Sequence, residues 1–373
     1  MITSTTSSLI ASCSPQQQAK ITTGQIMLWV IAACLPAIFL STYFFGIGVM
    51  LNIVLASVFA LSFEAVALKL RNKNLRTNLL DNSALVTAVL LGIAIPPGSE
   101  WWLILSGVFF AVVIAKHAFG GLGQNLFNPA MCGYAMLLLA FPLDMTSWHI
   151  PVAQQADEPF SPLSLASMQT SIQFLLPAFA TDSVSNTLNL ADGLSMATPL
   201  IEQKMAGKSA IFAIFNSAGS WLDLLRRESG AGWELVNIGF MVGGLFLIYK
   251  KIISWHIPLS IIGSIVLLSL LFYSENSVNT YGTTYLHLFG SATMIGAFFI
   301  ATDPVSAATT PIGKLLYGVI IGCCIYSIRV WGSYLDSIAF AVLFGNFCTP
   351  LIDHYCAPTI YGHARKRIWK PAN

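Results

Sequence analysis

The stretch DGLSMATPL, residues 192–200, holds the residue types best suited to chemistry in this sequence. It is small and polar, and it carries one threonine, Thr198, directly before a proline. Pro199 disfavours helix at Thr198 and favours an extended, accessible backbone. The small neighbours Ser195 and Ala197 would let the active site of another protein close around that backbone. A hydroxyl presented in this way could be covalently modified, although a Ser/Thr-rich loop is more often only a solvated connection.

The composition identifies the setting of this stretch as a membrane protein. Of the 373 residues, 55% are hydrophobic and only 9% are charged, whereas a soluble domain carries about 25% charged residues. We therefore expect a polytopic membrane protein in contact with lipid. The net charge of +2 gives no indication of a nucleic-acid partner. The seven cysteines lack a metal-binding spacing, so no metal site is predicted.

Apolar runs of the length that crosses a bilayer, about 20 residues, predict an all-α fold of about ten transmembrane helices. The predicted spans are 24–43, 46–69, 82–98, 101–118, 130–147, 235–250, 256–273, 284–302, 314–330 and 333–351. If the N-terminus is cytoplasmic, thirteen of the eighteen Lys and Arg residues fall on the inner side. Both termini are then cytoplasmic. The predicted parts are an N-terminal segment (1–23), a first membrane repeat (24–147), an outer loop (148–234), a second membrane repeat (235–351) and a basic tail (352–373).

Two short patterns occur once in each half and predict an internal repeat. Ser83-Ala84 and Ser291-Ala292 each open an apolar run that reaches a proline, at Pro96 and Pro304. GQNLFNP (123–129) is later echoed by GNFCTP (345–350). Because each half holds five spans, an odd number, the second copy would be inverted relative to the first. Inverted repeats with broken helices place a ligand site at the repeat interface, and this arrangement resembles the urea-transporter architecture.

The segment FGGLGQNLFNPA (119–130) is the second candidate site. Its glycines, Gly120, Gly121 and Gly123, permit close approach of the backbone to a flat ligand, and exposed amides can line an anion pocket. The segment lacks the G-x-G-x-x-G spacing of a dinucleotide fingerprint. The alternative is a re-entrant loop in which the glycines serve only tight helix packing.

Two acidic residues at membrane depth are candidates for an ion path. Glu64 lies in the second span, and Asp303 precedes Pro304 at the end of the eighth. Charge at this depth is costly and marks function by default. Asp303 could instead cap a broken helix end, where a carboxylate accepts hydrogen bonds from free amides.

The ten spans, the cytoplasmic N-terminus and the pattern D-x-x-S-x-A-T in the outer loop together resemble the RnfD/NqrB family of membrane subunits of redox complexes. The resemblance extends over nearly the whole chain and includes NLRTNLLDNSALVTAVLLGIAIPP (74–97), AKHAFGGLGQNLFNPAMCGYA (115–135) and ATDPVSAATTPIGK (301–314). The short N-terminal region resembles the RnfD (RsxD) branch more than the Na⁺-translocating quinone reductase branch. One departure is Met196, where many family members have glycine.

The resemblance implies FMN joined by a flavin transferase to Thr198 through a phosphoester, with Asp192, Ser195 and Ala197 recognised by the transferase. It also implies a second, non-covalent flavin such as riboflavin, which we expect near Gly120, Gly121, Gly123 and Asn125. The function implied is that of an electron-transfer subunit of the Rnf complex in the bacterial inner membrane, not catalytic alone. It would relay electrons between NADH- and ferredoxin-linked partners, coupled to Na⁺ or H⁺ movement.

The implied partners are the other subunits of the Rnf complex, including a periplasmic FMN-bearing subunit and iron–sulfur subunits. Two alternatives stay open. One is the NqrB-type subunit of a quinone reductase, which differs in electron acceptor. The other is a urea-transporter-like solute channel, in which Thr198 is unmodified and the repeat interface is a pore.

Overall fold

The structure is a computed structural model that describes residues 22–146, 148–149, 195–196, 231–272, 284–332 and 336–357. These residues are almost entirely helical. The first half contains α1 (Thr23–Phe45), α2 (Gly48–Leu70), α3 (Leu75–Leu79), α4 (Ser83–Ala94), α5 (Trp101–Phe109), α6 (Pro129–Ala140) and α7 (Pro142–Thr146). The second half contains α8 (Ala231–Tyr249), α9 (His256–Leu271), α10 (Thr284–Phe289), α11 (Thr293–Ile295), α12 (Pro311–Val330) and α13 (Ile338–Cys356). Two strands, β1 (Trp148–His149) and β2 (Ser195–Met196), form an antiparallel pair.

Four helices of the described residues are long and apolar enough to cross a membrane. They are Thr23–Phe45, Gly48–Leu70, Gly232–Tyr249 and Pro311–Val330. The chain is therefore a multi-pass membrane protein. Helix is present within each of the ten predicted ranges, but several segments are shorter than a full span. The number ten and the inverted arrangement remain predictions.

The third predicted span, 82–98, is a short helix followed by a turn. Helix α4 begins at Ser83 and ends at Ala94, because Pro96 and Pro97 cannot continue the backbone hydrogen bonding. The buried side chain of Asn52 on α2 donates its amide Nδ2 to the carbonyl oxygens of Ile95 (3.3 Å) and Pro96 (2.9 Å). Irregular backbone at membrane depth is tolerated when such a partner satisfies it.

The matching span of the second half, 284–302, is broken in a similar way. Helix α10 ends at Phe289, and α11 begins at Thr293 and runs into a π-helical turn, Gly296–Ile300. Asn237 on α8 donates its Nδ2 to the carbonyl oxygen of Phe289 (2.9 Å). A second π-helical turn, Phe110–His117, continues α5.

Small residues permit the closest helix contacts. Helix α1 packs along α8, and α9 packs along α12. A Cβ atom added at Gly243 would lie 1.9 Å from the carbonyl oxygen of Ala33 on α1. One added at Gly318 would lie 1.8 Å from the hydroxyl of Ser260 on α9. Such contacts are typical of helix pairs in membranes, where close van der Waals packing drives association.

Three predicted bounds differ from the structure. The last span, predicted at 333–351, is the helix Ile338–Cys356, because Ser337 precedes it and Pro350 lies inside it without ending it. The fifth, predicted as continuous over 130–147, breaks at Phe141, where Pro142 starts α7. The all-α prediction also omitted the short β1–β2 pair.

Candidate functional site

The strand pair fixes part of the motif DGLSMATPL against the membrane helices. Met196 pairs with Trp148, and Ser195 pairs with His149. Trp148 follows α7 directly and packs against Phe45 and Trp233, with ring centroids 5.7 Å and 4.6 Å away. Of the predicted attachment residues, Asp192, Ala197 and Thr198 lie outside the described residues.

Beneath this aromatic cluster lies a cavity that we call the tryptophan pocket. It encloses about 1060 Å³ of space free of protein atoms, including its open mouth. Its walls come from both halves of the chain and are mostly apolar. The residues used below are Phe45, Tyr134, Trp148, Trp233, Asn237, Ser291 and Asp336. An apolar cleft with a few placed polar groups is the usual form of a cofactor site.

One polar atom in the tryptophan pocket lacks a partner. Asn237 is 2% exposed, and its Nδ2 donates to the carbonyl oxygens of Trp233 and Phe289 (both 2.9 Å). Its Oδ1 is buried and has no hydrogen-bond partner. Because a buried unpaired acceptor costs about 1–3 kcal/mol, this oxygen is suited to accept a hydrogen bond from a bound ligand.

The opposite wall holds a tyrosine–aspartate pair. The Tyr134 hydroxyl on α6 donates to Asp336 Oδ2 (2.7 Å). The other carboxylate oxygen of Asp336 accepts from the backbone N–H of Ile338 (3.0 Å) at the start of α13. Both oxygens of this carboxylate are therefore engaged.

A buried arginine lies directly behind the pocket wall. Arg329, near the end of α12, is 4% exposed. Its guanidinium donates to the hydroxyl of Ser337 (3.0 Å), to the carbonyl oxygen of His287 (2.6 Å) and to the hydroxyl of Ser291. Ser291 lines the tryptophan pocket.

A second cavity, which we call the lysine pocket, lies at the start of α4 and α6. It encloses about 960 Å³ free of protein atoms, part of it open. Its polar lining residues are Ser83, Thr87, Lys116, Asn125, Asn128, Thr302 and Asp303. Asn125 Nδ2 donates to the carbonyl oxygen of Phe127 (3.1 Å), and its buried Oδ1 has no partner.

Lys116 belongs to a buried network of charged side chains. Its Nζ donates to Glu64 Oε1 and to the Ser83 hydroxyl, both at 2.8 Å. The second oxygen of Glu64, Oε2, contacts His117 Nε2 at 2.8 Å. Lys116 and Glu64 are each 2% exposed. Glu64 is therefore a paired carboxylate within the helices rather than a free intramembrane acid.

The predicted glycine-rich segment begins at this network. Gly120, Gly121 and Gly123 have φ angles of 122°, 95° and 86°, which favour glycine. The Arg71 guanidinium donates to the carbonyl oxygen of Gly120 (2.7 Å) and contacts His117 Nδ1 (3.3 Å). Of the four residues predicted for a second flavin, Asn125 lines the lysine pocket and the three glycines form the turn that precedes it.

The other predicted ion-path residue, Asp303, also lines the lysine pocket. Its Oδ2 accepts from the Ser306 hydroxyl (2.8 Å), three residues along a turn. The structure thus brings Asp303, Asn125 and Lys116 to one cavity, while Glu64 lies behind it in contact with Lys116.

Sequence reasoning misses the two buried cations. The positive-inside pattern puts Lys116 at the inner boundary of the fourth span and Arg329 near a span end. The only signal in the sequence is the apolar context on both sides of each: AVVIAKHAF and IYSIRVWG. The pairing of Lys116 with Glu64 leaves no local pattern, because the two residues are on different helices 52 positions apart.

The helices and the two polar-lined cavities define a polytopic membrane protein with the features of a cofactor-binding subunit. A family model, that of the NQR2, RnfD, RnfE family, matches residues 10–362. The chain belongs to this family, which confirms the resemblance seen in its sequence.

Individual relatives agree, and each of the three described here is the RnfD subunit of an ion-translocating oxidoreductase complex. The chain is 44% identical over 355 residues to the protein of Vibrio atlanticus, covering 94% of this chain and 98% of that protein. It is 46% identical to the protein of Aliivibrio salmonicida with the same coverage. It is 45% identical to that of Aeromonas hydrophila, covering 92% of this chain and 96% of that protein.

Proposed function

We propose that the chain is the RnfD subunit of an ion-translocating oxidoreductase complex and carries FMN on Thr198 through a phosphoester. The isoalloxazine ring of this FMN occupies the tryptophan pocket. Bound FMN accepts one or two electrons, so it can link one-electron and two-electron partners. The residues of this chain bind and orient the ring, and they exclude water from it.

One observation carries this proposal: the attachment motif is paired with a residue of the pocket wall. Met196 of the motif pairs with Trp148, which lines the tryptophan pocket. Thr198 follows Met196 by two residues, and two residues reach at most about 7 Å. A ring attached through Thr198 can therefore reach the mouth of the pocket.

The groups of the tryptophan pocket fit an isoalloxazine. Its flat aromatic faces suit the walls formed by Trp148, Trp233 and Phe45, because such rings stack or meet edge to face. The unpaired Asn237 Oδ1 can accept a hydrogen bond from the ring N–H of the flavin. The Ser291 hydroxyl can contact a ring carbonyl oxygen.

The test of attachment is flavin fluorescence of the denatured protein in a gel. The full chain is expressed with an active flavin transferase, as wild type, Thr198→Val and the matched control Thr187→Val. We expect fluorescence in the wild type and the control and none in Thr198→Val. A dark wild-type band would refute the proposal, and Met196→Gly would then show whether Met196 prevents modification.

The test of ring placement compares native with denatured fluorescence. A ring held against indoles is quenched in the folded protein and released on unfolding. We expect Trp148→Leu and Trp233→Leu to brighten native fluorescence without changing the fluorescence of the denatured protein. Trp29→Leu, on another part of α1, should have no effect. Unchanged ratios in both pocket variants would place the ring elsewhere.

We propose the lysine pocket as the site of the second, non-covalent flavin. The support is the buried, unpaired Asn125 Oδ1 at a cavity that also carries Lys116. Acid extraction of the purified chain should release a riboflavin-type flavin. Asn125→Leu should lower the amount released and leave the covalent flavin unchanged. An extract of the wild type without flavin would exclude this site.

Asp303 remains our candidate for a cation or proton path, because its carboxylate opens to the same cavity. The complex in inner-membrane vesicles should lose ion transport in Asp303→Asn while retaining both flavins. Intact transport would exclude this role. The same vesicles would test the proposed location, the cytoplasmic termini and the association with flavin-bearing and iron–sulfur subunits.

Two alternatives give different results in these assays. A solute channel would leave Thr198 unmodified and would pass solute in liposomes. A quinone-reductase subunit would carry the same covalent flavin, and its complex would reduce quinone. The paired motif and pocket favour a flavin carrier over the channel.

A further inference from the structure

Each half of the chain holds a buried cation against the serine that begins its Ser-Ala segment. Lys116 Nζ donates to the Ser83 hydroxyl (2.8 Å), and Arg329 donates to the Ser291 hydroxyl. Ser83 and Ser291 occupy matching positions before the runs that lead to Pro96 and Pro304. Ser83 lines the lysine pocket and Ser291 lines the tryptophan pocket. Each cavity therefore has one buried cation in or behind its wall.

The two cations differ in how their charge is compensated. Lys116 forms a direct ion pair with Glu64 at 2.8 Å. Among the described residues Arg329 forms no ion pair, and its three acceptors are neutral oxygens. The nearby carboxylate of Asp336 accepts from Tyr134 and Ile338 instead.

A buried charge with neutral partners acts over a longer distance than a paired one. Its field is weakly screened, because the surrounding helices have a low dielectric constant. Arg329 lies one side chain away from the tryptophan pocket, so its positive potential extends into that cavity. The lysine pocket has a more nearly neutral wall, because Glu64 offsets the charge of Lys116.

From this difference we infer that Arg329 is a positioning residue that raises the redox potential of the flavin in the tryptophan pocket. Reduction adds two electrons and one proton to the ring, which then carries one negative charge. A positive charge behind Ser291 stabilises that reduced form relative to the neutral oxidised ring. The carboxylate of Asp336 lines the same cavity and acts in the opposite direction. This inference rests on the proposed covalent FMN.

The test is a redox titration of the covalent flavin, followed by its visible absorbance with dithionite as the reductant. The full chain, loaded with FMN, is purified as wild type, Arg329→Gln and Arg329→Lys. We expect Arg329→Gln to favour the reduced form at least tenfold less, which is about 30 mV lower for a two-electron couple. Arg329→Lys keeps the charge and should retain most of the potential, although it loses hydrogen bonds.

Two further variants separate charge from structure. Lys250→Met removes an exposed cation that lies over the ring of Trp29, and it should leave the potential unchanged. Asp336→Asn removes the opposing charge and should raise the potential. If Arg329→Gln does not accumulate as a folded protein, Asp336→Asn decides: an unchanged potential overturns the inference.

The outcomes distinguish this inference from the function on which it rests. A fluorescent gel band in Arg329→Gln with a wild-type potential overturns the role of Arg329 and leaves the covalent flavin intact. Equal losses of potential in Arg329→Gln and Arg329→Lys mean that hydrogen bonding, and not charge, is responsible, and also overturn it. A dark wild-type band overturns both.

Discussion

Replacing Lys116 with methionine should destabilise the protein through the carboxylate that it leaves behind. Lys116 and Glu64 are each 2% exposed and 2.8 Å apart. Breaking a buried ion pair by removing one partner costs about 3–5 kcal/mol, because the remaining charge is buried without compensation. His117 still contacts Glu64 at 2.8 Å and, if protonated, would offset part of that cost. We therefore expect a loss at the lower end, about 3 kcal/mol.

A double-mutant cycle tests the origin of this loss. Replacing the whole pair, as in Lys116→Met with Glu64→Leu, should restore much of the stability, because apolar replacements of buried pairs are often nearly neutral. The assay is unfolding of the detergent-solubilised chain by increasing denaturing detergent, followed by tryptophan fluorescence. Lys250→Met, an exposed lysine, is the control. Additive single and double losses would refute the reasoning, because they would mean that the two charges do not interact.

Three further changes follow from the packing and the turns. Gly318→Ala places a Cβ 1.8 Å from the Ser260 hydroxyl and should cost about 1–3 kcal/mol in the same unfolding assay, partly recovered by Ser260→Ala. Gly121→Ala, at a φ of 95° and 3.1 Å from the Arg71 guanidinium, should cost about 1 kcal/mol or more, whereas a loss below a few tenths would mean that the turn rearranges. Asn237→Leu leaves two backbone carbonyls without their donor and should lower stability by about 2 kcal/mol, with wild-type stability contradicting this.

The sequence predicted the membrane class, the family and the positions of the helices, because apolar length and composition carry that information. It also predicted that the glycines after the fourth span adopt special backbone geometry, and Gly120, Gly121 and Gly123 all have positive φ. These features depend on neighbouring residues, so a local pattern is enough to predict them.

The pockets could not be predicted in the same way. Tyr134 and Asp336 are 202 positions apart, and Asn128 donates to the carbonyl oxygen of Ile300 across 172 positions. Such contacts depend on how the two halves pack, which periodicity does not encode. The breaks within the third and eighth spans were suggested by Gly and Pro, but the side chains that satisfy them, Asn52 and Asn237, gave no separate signal.

The π-helical turn Phe110–His117 makes the number of residues in this segment as important as their identity. A π-helical turn holds one more residue per hydrogen-bonded ring than an α-helical turn, so it behaves as a built-in insertion. Lys116 and His117, at its end, both contact Glu64. Deleting one apolar residue from the turn would relax it to α-helix and rotate both side chains away from α2. Relatives that preserve this network should therefore accept substitutions between Phe110 and Ala115 far more readily than any change in length.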